Sequence, residues 1–366
     1  MINQVKLPVY SKLAQIVLGI IGLFYILFIG QEIIIPIIFS VIIAILLNPV
    51  VNYLCSKNIG KVVSIFIALF LVILLIGALL YFLGAQISLL SDSWPEFKEK
   101  FFHLLDDATQ WISQTFNISH AKITGWVKKT KAEGVDSSVV IGQTLNTLKS
   151  LVVVFLLPVY VFMILFYKPL LLDFIAQLFK HDKHEIVGEV LTETKSLIQN
   201  YLVGLLIEAA IVATLNSVGL MIIGIQYAIL LGILGALLNI IPYIGGLIAI
   251  ALPMLVAIAT KSPSAALWVL IVYLVVQFID NHYIVPSIVA SKVKINALVS
   301  IIVVLVGGAL WGVPGMFLSI PLTAIIKVIF DRIEPLKPFG FLLGDNQPEI
   351  GRIKIKRSRT KKETAS

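Results

Sequence analysis

The sequence predicts an all-α, polytopic integral membrane protein with six spans and two re-entrant helical hairpins. Counted by hydropathy alone, the same runs read as eight spans. Three observations predict the class. First, 59% of the 366 residues are hydrophobic and only 13% are charged, whereas soluble domains carry about a quarter charged residues. Second, runs of Leu, Ile and Val long enough to cross a hydrocarbon core of about 30 Å recur along most of the chain. Third, these runs are solidly apolar. Barrel strands would alternate over about 10 residues, so the spans are helices, which satisfy their own backbone in lipid.

The elements follow in order. Lys6 and Lys12 precede an apolar stretch at 13 to 30. No small-residue cleavage site follows, and another apolar run begins at Ile33, so the stretch is expected to be a retained first span. Gln31 and Glu32 alone separate it from span 2, about 33 to 54, which forces a tight antiparallel pair. Lys57 and Lys61 then mark a cytoplasmic turn. Span 3 runs from about 62 to 90. These spans form the first segment, 1 to 91. The single cysteine, Cys55, excludes an internal disulfide.

Residues 92 to 149 form an insert, expected to be an extracytoplasmic helical cap. Trp94, Pro95 and Glu96 read as a helix start. Phe97, Phe101, Leu104, Ala108 and Trp111 recur at helical spacing behind them. Span 4, about 150 to 167, ends at Lys168 and Pro169. The stretch 168 to 196 is polar and mixed in sign, with a possible interfacial face at Leu170, Leu171, Phe174, Leu178 and Phe179. His181 and His184 lie three apart, but two histidines without a third ligand do not make a metal site. Pro36 and Pro158 in spans 2 and 4 are read as prolines tolerated by packing.

Span 5, about 197 to 223, contains Glu208. The stretch 226 to 260 is uncharged and too short for two spans. Its centre is LLNIIPYIGG, 237 to 246. Pro242 cannot donate a backbone bond and disfavours helix at Ile241, while Gly245 and Gly246 permit a tight turn. The arms on either side are about 22 to 24 Å long as helices. That length suits a hairpin that dips into the membrane and returns. Irregular backbone at that depth is tolerated where protein or a water-filled cavity satisfies it. Broken helices of this kind build substrate and ion sites, and Asn239 stands beside this tip.

A span at about 263 to 285 follows, and a second interrupted run at 295 to 326 carries Gly312, Pro314 and Gly315. Eight plain spans would place Lys292 and Lys294 outside and Lys261 inside. Six spans and two hairpins reverse this, and the positive-inside rule favours the hairpins. The length argument is stronger for the first hairpin than for the second. In both versions the N- and C-termini are cytoplasmic. The segment 150 to 330 is the broken-helix core, and 331 to 366 is a basic cytoplasmic tail. The net charge of +8 gathers in that tail at 352 to 362, which points to anionic lipid headgroups and not to nucleic acid.

Charged groups inside spans are costly and mark functional positions. Glu208 lies deep in span 5. Gln277, Asp280 and Asn281 share one helix face. No Walker loop, nucleophile elbow or zinc-protease motif is present. An enzyme is therefore not expected, nor any cofactor.

The second half resembles a known family on specific residues. NIIPYIGGLIAIALP at 239 to 253 is similar to the signature of the autoinducer-2 exporter family, a group of bacterial predicted permeases. So is 277 to 331, with Gln277, Asp280, Asn281, Pro286 and Pro314 in the family's order. The resemblance implies a transporter of the bacterial cytoplasmic membrane and a homo-oligomer, with a pentamer as one form. It also implies structurally critical roles for Pro242, Gly245, Asp280, Asn281, Pro286 and Pro314. Members are linked to export of a furanone signal and, in other branches, to sodium/proton antiport. Gly246 stands where many members carry Pro, and Glu208 lies outside the family pattern.

The reading is a secondary transporter that exports a small polar solute, autoinducer-2 among the candidates, by moving a hairpin-bearing unit against a scaffold. Protons or sodium would couple through Glu208 and Asp280. Cation/proton antiport is the second reading, and a non-transporting membrane scaffold is the third.

Overall fold

The computed structural model describes residues 8–116, 144–241, 245–289 and 295–345. Among them every regular element is helical, apart from an isolated bridge between Ile295 and Gly344. The helices are α1 (Val9–Ile29), α2 (Gln31–Ser56), α3 (Lys61–Phe116), α4 (Thr144–Phe166), α5 (Lys168–Gln177), α6 (His184–Ile223), α7 (Ala228–Asn239), α8 (Gly245–Thr260), α9 (Pro263–Ile279), α10 (Ala297–Arg332) and α11 (Lys337–Leu343). A π-helix, Asp280–Val289, continues α9.

By length and composition six of the described helices can cross a membrane, or seven if α4 and α5, bent by 63° at Tyr167, count as one span. This is a multi-pass membrane protein. The helix start expected at Trp94 is not one: the backbone of α3 stays helical through residue 116, because one missing N–H removes a single bond from a long ladder. Pro36 and Pro158 likewise sit inside unbroken helices. Ser40, on the turn after Pro36, donates its hydroxyl to the Pro36 carbonyl at 2.7 Å. Residues 117 to 143, those beyond 345, and Pro242, Lys292 and Lys294 lie outside the described residues.

Hydrogen bonds and ion pairs between distant segments fix which helix ends lie at the same level. Lys61 Nζ donates to the Phe166 carbonyl at 2.9 Å, so α3 begins where α4 ends. Arg332, the last residue of α10, pairs with Glu189 and Glu193 near the start of α6. At the opposite end, Lys261 Nζ donates to the Ile223 carbonyl at 2.5 Å. The chain therefore leaves α6 and returns to the same level 38 residues later. That closes α7 and α8 into a re-entrant hairpin rather than a crossing. The exit from α6 is shaped by Gly224 at φ 73°, with Ile225 N–H reaching back to the Leu220 carbonyl, a left-handed helix stop that only Gly adopts without penalty.

The second interrupted run is also a hairpin. Gly312 has φ 62° and ψ −142°, outside the helical region. Gly307 and Gly315 then meet backbone to backbone: a methyl group built on either would strike the other's carbonyl, and one on Gly307 would also strike Ser319 Oγ. Eight residues of straight helix would separate them by about 12 Å, so α10 is folded back on itself. Close approach through small residues is how helices pack in lipid, where hydrophobic burial supplies no drive between them. At the tip, Trp311 Nε1 donates to the Leu27 carbonyl at 2.9 Å, near the end of α1. At the open end, Asn296 caps α10 through the Val299 N–H and holds Leu342 and Gly344 with its amide. The two hairpins thus enter from opposite ends of the molecule.

Three of the apolar clusters tie the main helices of the bundle together. One joins α6, α7, α8 and α9 through Leu220, Leu231, Val256 and Val269. A second joins α2, α6 and α10 through Ile42, Ile198, Tyr201 and Leu318. A third joins α2, α3 and α4 through Leu47, Ile65 and Val161. α1 leaves most of its apolar surface exposed.

Candidate functional site

The tip of the first hairpin meets the end of α9. Asn239 is the last residue of α7. Its side-chain amide donates to Asp280 Oδ2 at 2.8 Å. Gln277 Nε2 lies 3.4 Å from the same oxygen and 3.4 Å from Asn281 Oδ1. Asp280 is 1% exposed, and its Oδ1 has no hydrogen-bond partner among the described residues. A carboxylate this deep, held among the described residues by two neutral amides and no cation, is an unusual and costly arrangement.

The local sequence explains the geometry. Pro286 lacks an N–H and lies in the stretch where α9 opens into the wider π-helix beginning at Asp280. Such widenings gather at functional sites. Gly245 opens α8 directly against the Leu238 carbonyl and Asn239 Cα, with no space for a side chain. Gly246 faces Gln277 Oε1 and Asn239 Oδ1, so a proline there would crowd both amides. Asn281 is exposed at the rim.

A small cleft beside the cluster is lined by Val212, Asn216, Gly235, Asn239, Tyr273 and Gln277. It has room for a group no larger than water. Asn216 is 2% exposed, and its Oδ1, like that of Asp280, lacks a partner among the described residues. The Tyr273 hydroxyl lies 3.4 Å from the Leu231 carbonyl. Asn216 and Tyr273 were not expected from sequence. The signal for Asn216 is its place two turns beyond Glu208 on one helical row.

Glu208 is buried, 7% exposed, on α6. Its level follows from packing. Gly204 touches the Ile288 carbonyl, and Val212 shares an apolar cluster with Ile284. α6 and the π-helix therefore run antiparallel, which sets Glu208 near the level of Asp280 along the bundle. Distance along each helix agrees: Asp280 follows Pro263 by about 25 Å of helix, and Glu208 precedes Ile223 by about 22 Å.

Of the other expected positions, Gly312, Pro314 and Gly315 lie at the second tip, which packs beside α1 and α2. His181 and His184 stack edge to face at 5.0 Å. No group of three potential metal ligands occurs among the described residues.

A sequence model described as AI-2E family transporter matches residues 15–334. Curated relatives include "Putative transport protein YrrI" of Bacillus subtilis, 33% identical over 36% of this chain and 36% of its own length. "Putative permease PerM" of Escherichia coli is 27% identical over 48% and 49%. A "Putative transport protein" of Haemophilus influenzae is 27% identical over 74% and 79%. The match thus spans about a third of the length of the first relative and most of the last.

Proposed function

The chain belongs to the AI-2E transporter family, and from that premise we propose that it is a secondary transporter exporting a small polar solute, with autoinducer-2 as a candidate. In this reading it sits in the bacterial cytoplasmic membrane, with both termini cytoplasmic, as a homo-oligomer. The exposed apolar side of α1 gives lipid or a neighbouring copy a surface to cover. Asp280 and Glu208 bind a coupling proton or sodium ion. Asn239, Gly245 and Gly246 carry the moving tip past Gln277 and Asp280.

The observation that carries this reading is Asp280 itself. A fully buried carboxylate with one oxygen unpartnered among the described residues has room in its chemistry for a proton or a small cation. The C-terminal end of α7, where the helix dipole is negative, points at the same place. A second reading, cation/proton antiport, draws on Glu208 at nearly the same depth, since two carboxylates so placed can exchange unlike cations without any organic solute.

Flux in proteoliposomes with imposed proton and sodium gradients, comparing the natural protein with Asp280→Asn and Glu208→Gln, separates these. Gradient-driven solute release that the variants lose supports the exporter. Ion exchange alone, lost in the variants, replaces it with antiport. No flux in folded protein leaves a scaffold and ends both.

A further inference from the structure

A second cleft, of about 690 Å³, lies away from the hairpin tip, between the first half of α6 and the last turns of α10. Its walls set polar and charged groups in a largely apolar lining that includes Leu197 and Val328: Glu189, Glu193, Ser196 and Asn200 on α6, and Lys327, Asp331 and Arg332 on α10. Arg332 binds both Glu189 and Glu193, and Lys327 holds Asp331 at 2.5 Å. Three carboxylates face two cations, so the cleft keeps a negative excess. Its volume lies within the range of pockets that hold small molecules.

The cleft has a direction. Ser196, Asn200, Gly204 and Glu208 follow one another at four-residue spacing, one row along α6. Asn200 Nδ2 donates to Ser196 Oγ at 3.1 Å. Glu208 lies about 12 Å beyond Asn200 along the helix. Between them Gly204 presses on the Ile288 carbonyl, where an added methyl would lie 2.9 Å from that oxygen. The row therefore reads as an open polar cleft, a tight neck at Gly204, and a buried carboxylate behind the neck.

We propose that this cleft is the aqueous vestibule through which a small hydrophilic solute, preferably one bearing a positive charge, reaches the Glu208–Asp280 site. The proposal rests on the transport reading above. It adds the route, the charge preference and the neck. Glu189 and Glu193 attract the solute, Ser196 and Asn200 offer it hydrogen bonds, and the Gly204–Ile288 contact separates it from the buried acids in this conformation.

Thiol labelling tests the route without any need for flux. The full-length chain with Cys55→Ser contains no cysteine. Asn200→Cys and Glu208→Cys are added singly and reacted with a trimethylammonium-bearing and a sulfonate-bearing methanethiosulfonate. Each rate is normalised to that of a free thiol. Asn200→Cys is expected to react readily and to favour the cationic reagent by about tenfold, as a charged cleft concentrates its counter-ion. Adding Glu189→Gln and Glu193→Gln should abolish or invert that preference. Glu208→Cys should react at least about tenfold more slowly than Asn200→Cys, because it lies behind the neck. Protein that elutes as the folded species but leaves Asn200→Cys unmodified, or shows no charge preference, overturns the proposal. So does equal reactivity at 200 and 208. Absent flux with the expected labelling pattern would overturn the transport reading and leave the vestibule as a binding cleft.

Discussion

Asn239 and Asp280, 41 residues apart, are joined by a 2.8 Å hydrogen bond from the asparagine amide to Oδ2. This bond ties the broken end of α7 to the point where α9 widens. Replacing Asn239 by Ala leaves Gln277 as the remaining donor to Oδ2 among the described residues and uncovers a buried acceptor. A loss of about 1–3 kcal/mol is expected, read as a lower thermal midpoint in detergent. Asp280→Asn keeps the shape and removes the charge, and should unfold at or above the natural midpoint while losing ion-coupled flux.

Gly307 and Gly315 define the second hairpin by touching. Gly307→Val should separate the arms of α10 and cost about 1–3 kcal/mol or more by overpacking. Gly308→Ala meets the flexible end of Met316 instead and should be milder. Denaturation of both variants in the same detergent checks the order.

Gly312 is different in kind. No atom lies within 4 Å of a Cβ built there, yet φ is 62°. Gly312→Ala should therefore destabilise by about 1–3 kcal/mol through backbone strain alone. A neutral effect would mean that the tip can relax to another path.

The re-entrant course of α7 and α8 predicts labelling from one face only. Gln226→Cys and Ser262→Cys, each in the Cys55→Ser background, should react with an impermeant maleimide from the same side of sealed vesicles. Reaction from opposite sides would replace the hairpin with a crossing.

The pairing of Arg332 with Glu189 and Glu193 is solvent-exposed. Such pairs contribute little to stability, so Arg332→Ala should leave the thermal midpoint unchanged. Its effect should appear instead as a stronger preference for the cationic reagent at Asn200→Cys.

The first hairpin was legible because its interruption is chemical: Pro242, Gly245 and Gly246 break an uncharged run too short for two spans. The second was less so. Its closure depends on Gly307 lying against Gly315, a pairing that follows no helical period and looks like ordinary membrane composition. Glu208 and Asp280 stood out as charges in apolar runs, whereas Asn216 did not, because a neutral amide hardly lowers the hydropathy around it. The cleft was hidden for another reason. Glu189 and Glu193 lie some 140 residues from Arg332, and each group alone resembles any polar helix end. Trp94 misled because tryptophan, proline and an acid make a good helix start wherever no helix already runs through them.

α6 is a single helix of 40 residues without proline, about 60 Å long. Gly204, at its midpoint, rests on the Ile288 backbone. A stiff rod supported at its centre behaves as a lever. A tilt of about 10° about that point swings each end by about 5 Å, in opposite directions, given a half-length of about 30 Å. The end that carries Glu189 and the end that carries Ile223, with Lys261 beside it, therefore cannot both move inward in one rigid rotation. A rigid rotation that narrowed the bundle at one end of α6 would widen it at the other.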